Sequence, residues 1–458
     1  MELMIDRRGF IGRAAAALGF AAVPGTSLLA APAGWKPRGK PALVFGFITD
    51  THIRRSRQPH REAPWMHTPT IYYENALGFF RDRRVDAVVH GGDMAHRGLR
   101  CEMRFHADIW WRFFPDDKLP GGGKVERLFV TGNHDFSPNE VFAKDAYPDP
   151  ERREQNILGR DIARHWQEIW REPYERAWHK VVKGYHFFGE HFEDSYGELV
   201  PLIRSREKKC NLHGDKPFFM VQHMMPSDEI RAKLADFPNA VSLFGHWHGS
   251  CAHLGTIRHE EFPLINGPSL RGNDIPKIPG FTPDPQSRCE HSEIQHGYLV
   301  SVYGNAIVFE RYDFHFGGKI GPDLVLPLGK TVDKPFSQTS LAKTFGTPEF
   351  KNGVKPSVSV NNGAVRLEIP PADANLRSRA YAYDIVVVGE KGKSAALRKC
   401  VYAAGCDFSQ THPAALGSTN VVFEENALPA GRKLIFAVRP VSSLGTTGKV
   451  IASTLNIG

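Results

Sequence analysis

Leu43-Val44-Phe45-Gly46-Phe47-Ile48-Thr49-Asp50-Thr51-His52 is the stretch on which the fold turns. Leu43–Ile48 is a continuous apolar run, the pattern of a strand buried on both faces, and it breaks into Asp50-Thr51-His52. The same event recurs along the chain. Val85–Val89 runs into Gly91-Gly92-Asp93, and Leu128–Val130 into Gly132-Asn133-His134-Asp135. Phe218–Val221 runs into Gln222-His223, and Val241–Phe244 into Gly245-His246-Trp247-His248. Between these runs, Ile71 to Phe80 and then Phe105, Ile109, Trp110 and Phe113 carry apolar residues at helical spacing, with Pro115 as a stop. Buried strands alternating with amphipathic helices predict an α/β core. In such cores, ligands bind at the carboxyl ends of the strands, where this sequence places Asp, Asn and His.

Those residue types make chemical sense together. Carboxylate, imidazole and an amide carbonyl suit a borderline divalent ion such as Zn, Mn or Fe. There are too many of them for one four-coordinate ion. They suit two ions that share a bridging carboxylate and keep positions open for water. Two such ions, roughly 3.5–4 Å apart, clamp the attacking and leaving oxygens of an in-line displacement and supply a hydroxide near neutral pH. Glycines beside Asp93, Asn133 and His246 let backbone come close to the ions. Taken singly the pieces are weak. Asp-x-His also reads as a surface loop, Gly-Asp as a turn, and Gly-His-Trp-His as a histidine-rich loop. Gly-Asn-His-Asp after an apolar strand is more specific, and the shared strand-end placement ties the set together.

The set D-x-H, G-D, G-N-H-D, H and G-H-x-H resembles the calcineurin-like metallophosphoesterase superfamily over roughly Ala42 to Phe316. The resemblance implies a two-layered β-sandwich core flanked by helices, and hydrolysis of a phosphate ester at a dinuclear site. It implies that Asp50, His52 and His248 hold one metal, that Asn133, His223 and His246 hold the other, and that Asp93 bridges them. It implies that His134 lies outside the metal shell and assists the leaving group, while Asp135 supports the turn. There is one departure. Where many members carry G-D-x-x-D-R, this chain has Gly92-Asp93-Met94-Ala95-His96-Arg97. His96 replaces the acid that commonly orients the catalytic histidine, as in the acid sphingomyelinase-like branch. His96 and Arg97 are therefore candidates for substrate contact, beside the bland reading of His96 as a loop residue. Arg271 and Asn273, in a later Gly/Pro-rich loop, are in reach on loop position alone.

The rest of the chain frames this centre. Arg7-Arg8-Gly9-Phe10-Ile11 resembles a twin-arginine export motif, and an alanine-rich apolar run, Ala14 to Val23, follows. The run is short for a membrane span, so residues 1–33 read as a signal peptide that engages the twin-arginine machinery, and residues 34–41 as a linker. A periplasmic or secreted location follows. No later stretch reads as a transmembrane helix. The phosphoesterase domain is expected over 42–320. Within it, 137–215 reads as a helical insertion, with Trp166, Trp170, Tyr174 and Trp178 either packed inside or forming a wall over the site. Residues 321–354 read as a second linker.

Residues 355–458 read as an all-β sandwich, on alternation at Val365, Leu367 and Ile369 and the turn signal Asn361-Asn362-Gly363. Phe436–Gly445 resembles the end of a fibronectin type III domain. Of the 6 cysteines, Cys400 and Cys406 are the candidate disulfide pair. The formal charge of +8 suits a soluble protein and, beyond that, phosphate-bearing substrates. No basic block points to nucleic acid. The expected activity is thus an exported phosphoesterase, with a diester slightly favoured by His96 and the aromatic segment. The alternative is a surface-binding protein whose β-sandwich acts and whose metal site is structural.

Overall fold

The computed structural model describes residues 29–30, 37–54, 68–137, 143–144, 147–271, 277–287, 295–314, 317–329, 334–361, 363–374, 377–389, 396–407, 417–430 and 433–456. Arg7, Arg8 and most of the proposed signal peptide lie outside them, as do Asn273 and Cys289.

The core strands are β1 (Leu43–Ile48), β2 (Ala87–His90), β3 (Glu126–Phe129), β4 (Ala177–Val182), β5 (Tyr185–Glu190), β6 (Phe218–Gln222), β7 (Ala240–Phe244), β8 (Ile257–His259), β9 (Pro263–Asn266), β10 (His296–Tyr303), β11 (Ala306–Asp313) and β12 (Asp323–Pro327). They form two sheets. The first runs β12-β11-β10-β1-β2-β3, with the short strand Leu29–Ala30 beside β12. The second runs β8-β9-β7-β6-β5-β4. In the first sheet β1, β2 and β3 are parallel, and β10 joins β1 antiparallel. In the second, β5, β6, β7 and β9 are parallel.

The sheets pack face to face, which explains the unbroken apolar runs. Along β1, Leu43, Phe45 and Phe47 enter the shared core while Val44 and Ile48 face the other way. Along β6, Phe219 and Val221 enter the same core while Phe218 and Met220 point outward. Phe45 meets Phe187 and Phe219 edge-on at 5.5 and 5.1 Å. The outer face of the first sheet is covered by α1 (Thr68–Asp82), α2 (Arg100–Phe113) and α3 (Ile162–Trp170). The outer face of the second is covered by α4 (Leu199–Arg206) and α5 (Asp228–Lys233). Ser227 caps α5, its hydroxyl accepting from the N–H of Ile230 at 3.3 Å. β1, β6 and β7 are buried on both faces, so their residues stay largely apolar until the strand leaves the sheet.

Residues 137–215 are not a helical insertion throughout. Residues 177–190 form the β4–β5 hairpin at the edge of the second sheet. Trp170, Tyr174 and Trp178, four apart, mimic a helix face. The chain instead turns at Lys183 and Gly184, whose φ values of 47° and 77° make the primed two-residue turn that a hairpin requires. The tryptophans form no wall over a site. Trp166 and Trp170 are buried against the helical layer, Trp170 edge-on to Phe129 at 5.2 Å. Residues 321–354 are not simply a linker either. β12 pairs with β11, and α6 (Gln338–Phe345) places Leu341 and Phe345 in the inter-sheet core.

Beyond residue 355 lie two antiparallel sheets, one of Ser357–Asn361, Ala364–Ile369 and Thr419–Glu424, the other of Leu397–Tyr402, Ala382–Gly389, Lys433–Val441 and Ile451–Asn456. Their inner residues share one apolar core. No disulfide joins Cys400 to Cys406. Cys400 sits in a strand opposite Asp384, while Cys406 is buried after the strand ends, so the pair is not bonded.

Candidate metal centre

The carboxyl ends of β1, β2 and β3 meet those of β6 and β7, and the loops there are bonded to each other. The N–H groups of Asp50 and His52 donate to the carbonyls of Gly92 and Asp93, each at 2.9 Å. The N–H of Gly245 donates to His223 O at 2.8 Å, and that of His246 to Asp50 Oδ2 at 3.0 Å. Asp50, His52, Asp93, His246 and His248 all have positive φ, between 47° and 68°. For residues with a Cβ this backbone is strained by about 1–3 kcal/mol each, and such strain persists where the surroundings fix it for a purpose. Here it turns side chains from separate strands toward one point. Gly132 and Gly245 make room for them. A Cβ on Gly132 would stand 2.1 Å from Asp93 Oδ1, and one on Gly245 2.1 Å from Thr49 Oγ1.

Two groups of ligand atoms result. Asp50, His52, Asp93 and His248 each present an atom within 4.8 Å of the others. His52 Nε2 lies 3.1 Å from His248 Nε2, and His248 Nε2 lies 3.1 Å from Asp50 Oδ1. On the other side, His223 Nε2 is 2.9 Å from Asn133 Oδ1, and the His246 ring, which is exposed, is 5.1 Å from that of His223. Asp93 Oδ2 belongs to both groups, 3.6 Å from His52 Nε2 and 3.3 Å from His223 Nε2.

The donors fit divalent cations. Asp50 Oδ1 is buried and accepts no properly directed hydrogen bond, although two imidazoles face it. A buried carboxylate oxygen left without a hydrogen bond among converging ring nitrogens is what a cation would satisfy. The electrostatics agree. Burial pushes Asp50 up, but His248 and its neighbours outweigh it and hold the carboxyl well below its usual range. Burial likewise opposes ionisation of Asp93 and is outweighed by His223, which takes Asp93 down to about 2. Burial lowers His52 to about 4 despite Asp50, leaving a neutral imidazole.

His134 stands beside the first group, its ring 4.7 Å from that of His52 and edge-on to it. Its Nδ1–H donates to the main-chain carbonyl of His96 at 2.8 Å. The acid missing at position 96 is thus not needed to orient His134, because the backbone does it. The bond fixes the tautomer and leaves Nε2 as the position that exchanges a proton. The His96 ring stacks on His134 at 5.5 Å and approaches His52 Nδ1 at 3.3 Å, and Arg271 Nη1 lies 3.1 Å from His96 Nδ1. Arg97 is half-buried, and its N–H donates to Glu102 Oε2 at 2.8 Å. Asp135 accepts from the N–H groups of Gly132, Ala95 and Met94 at 2.9, 2.6 and 3.2 Å. It supports the turn, tying the third loop to the second.

Tyr196 escaped the sequence reading. Its hydroxyl accepts from the N–H groups of His223 and Met224, at 3.1 and 3.0 Å, and so holds the His223 loop. It lies far from any motif, and no local signal points to it.

Residues 43–250 match the family model described as calcineurin-like phosphoesterase. No curated protein matches the chain. Among solved structures, a dimetal phosphatase from Danio rerio is similar at 13% identity and a TM-score of 0.38, over 63% of this chain and 100% of that one. A conserved protein from Streptococcus pneumoniae, described as a phosphoesterase by prediction, is similar at 12% identity and a TM-score of 0.28, over 62% and 97%. Vacuolar protein sorting 29 from Cryptosporidium parvum is similar at 12% identity and a TM-score of 0.28, over 64% and 100%. Residues 43–250 are a calcineurin-like phosphoesterase domain, and the chain is a hydrolase that acts on phosphate esters.

Proposed function

We propose that this chain is an exported phosphoesterase that hydrolyses a phosphodiester at a dinuclear centre bridged by Asp93. The observation that carries the reading is the position of Asp93 Oδ2 between His52 Nε2 and His223 Nε2, at 3.6 and 3.3 Å. Asp50, His52 and His248 would hold one ion, Asn133, His223 and His246 the other. Bound there, the ions would supply Lewis acidity and a water activated near neutral pH.

The chain's own groups do the rest. Asp93 orders the third loop through Oδ1, which accepts from the His134 N–H at 2.9 Å. His134, fixed at Nδ1 by the His96 carbonyl, offers Nε2 to the leaving oxygen and stabilises or protonates it as the ester bond breaks. His96 and Arg97 line the approach to His134 as substrate contacts. The diester preference rests on His96, since the buried aromatic segment lends it nothing. Export rests on the Arg7-Arg8 segment alone, and an extracytoplasmic diester is the substrate class that follows. Among the described residues, no helix is long and apolar enough to cross a membrane.

The test is hydrolysis of a chromogenic phosphodiester and the matching monoester, with Mn²⁺ or Zn²⁺ added and Asp93→Asn as the blank. Faster turnover of the diester, absent from the blank, is expected. Faster turnover of the monoester would reverse the substrate preference. No turnover with metal bound would favour a binding role for the β-sandwich. Export is tested separately. Replacing Arg7 and Arg8 with lysine should retain the protein in the cytoplasm, and unchanged export would remove that part of the proposal.

A further inference from the structure

We propose that His179, His186 and Cys210 form a second, separate metal site that takes a soft monovalent ion, Cu⁺. One ligand atom from each of the three lies within 4.8 Å of the other two. The hairpin and the helix that follows it create this meeting. In the β4–β5 register His179 faces Phe188 and Val181 faces His186, so the two histidines are diagonal neighbours on one face. That face is the outer one, because Trp178, Val182, Tyr185 and Phe187 take the inner side. Helix α4 crosses it, anchored by Leu199 and Ile203 against Phe188. The chain then continues one turn, with the Cys210 N–H donating to Arg206 O at 2.8 Å, and ends at Asn211 with φ 48°. This turn sets Cys210 over the histidines.

Both imidazoles are neutral. His179 Nε2 and His186 Nδ1 are 2.9 Å apart, a bond in which one neutral ring donates to the other. Burial lowers both rings below the usual histidine range, and His179 falls to about 4. All three side chains are half-buried, open enough for an ion to enter. Two imidazoles and a thiolate select soft or borderline ions. The surrounding charge narrows the choice. Arg206 and Lys209 act on His179, and Lys216 acts on His186. A dication with one thiolate would add net positive charge to this setting, whereas Cu⁺ with one thiolate adds none. The site lies towards the amino-terminal end of β5, on the outer face of the sheet, away from the carboxyl edge that carries the dinuclear centre.

The experiment uses the full chain with its dinuclear centre first filled with Mn²⁺. Cu⁺ is titrated anaerobically against a chromogenic Cu⁺ chelator, for wild type, Cys210→Ser and His186→Gln, with thermal melting as the check on folding. Wild type should withdraw one more equivalent than either variant. Bound Cu⁺ should also block alkylation of Cys210 by iodoacetamide, read by mass spectrometry. Equal uptake by all three proteins, with Cys210 labelled at the same rate, would overturn the site. Retention of Zn²⁺ but not Cu⁺ would overturn the charge argument and with it the assignment of the ion.

Discussion

Asp135 and His134 are adjacent and have separable tasks. Asp135 is buried, and burial together with the charge of Asp93 raises it to about 7, yet it serves three backbone donors. Asp135→Ala leaves those donors without an acceptor, and each buried unsatisfied group costs about 1–3 kcal/mol. The variant should lose at least about 2 kcal/mol in denaturant titration and bind metal more weakly, because the Gly132 loop is freed. The His134 ring reaches the Asp93 loop through its bond to the His96 carbonyl, whereas Asp135 already ties the same loops through the Met94 and Ala95 N–H groups. His134→Ala should therefore keep its metal content and lose about 10²–10⁴-fold in turnover, the range for a single acid–base group. Metal loss in His134→Ala, or full turnover, would contradict the separation of roles.

At the scale of elements, strand ends are the unit of construction, and glycine decides whether they can approach. Gly132→Ala would drive a Cβ into Asp93 at 2.1 Å from Oδ1 and 2.6 Å from its backbone nitrogen, with no flexible end to yield. This variant should lose metal and activity, while Gly304→Ala, where a Cβ meets nothing within 4 Å, should be neutral. Metal analysis of the two side by side checks this. The same strand ends explain what the sequence disclosed. β1, β6 and β7 are buried on both faces, so their apolar runs stop where the sheet stops, and the metal-binding residue types follow at once. The β4–β5 hairpin was hidden because aromatic residues at spacing four overlie a strand alternation, and only the Lys183-Gly184 turn separates the two. β12 and α6 were hidden because they return to the core after a change of pattern, and such a return is set by tertiary packing. The backbone role of His96 was invisible for another reason. Its carbonyl orients His134, and a carbonyl has no sequence signature.

At the scale of the molecule, burial of neutral histidines makes the fold acid-sensitive. His191 is buried, accepts from the Thr131 N–H at 3.0 Å, and is lowered by burial, with Lys180 adding to it, to about 3. The unfolded chain takes up a proton near the ordinary value of 6.5 and the folded chain does not until about 3. Stability is therefore full above that ordinary value and is lost as pH falls through the interval, by up to about 1.4 kcal/mol per unit. His90 and His253, also buried and lowered, add in the same direction. In metal-free protein, His191→Gln should flatten the fall in denaturant midpoint between pH 7 and pH 4, and an unchanged slope would exclude His191 as a source. The account as a whole rests on Asp93 serving two ions at once. The direct test is the metal content of the purified chain, wild type against Asp93→Asn, by elemental mass spectrometry after equilibration with Mn²⁺ or Zn²⁺. Two ions per chain in wild type and no more than one in the variant is the predicted result, and two ions in both proteins would contradict the bridge.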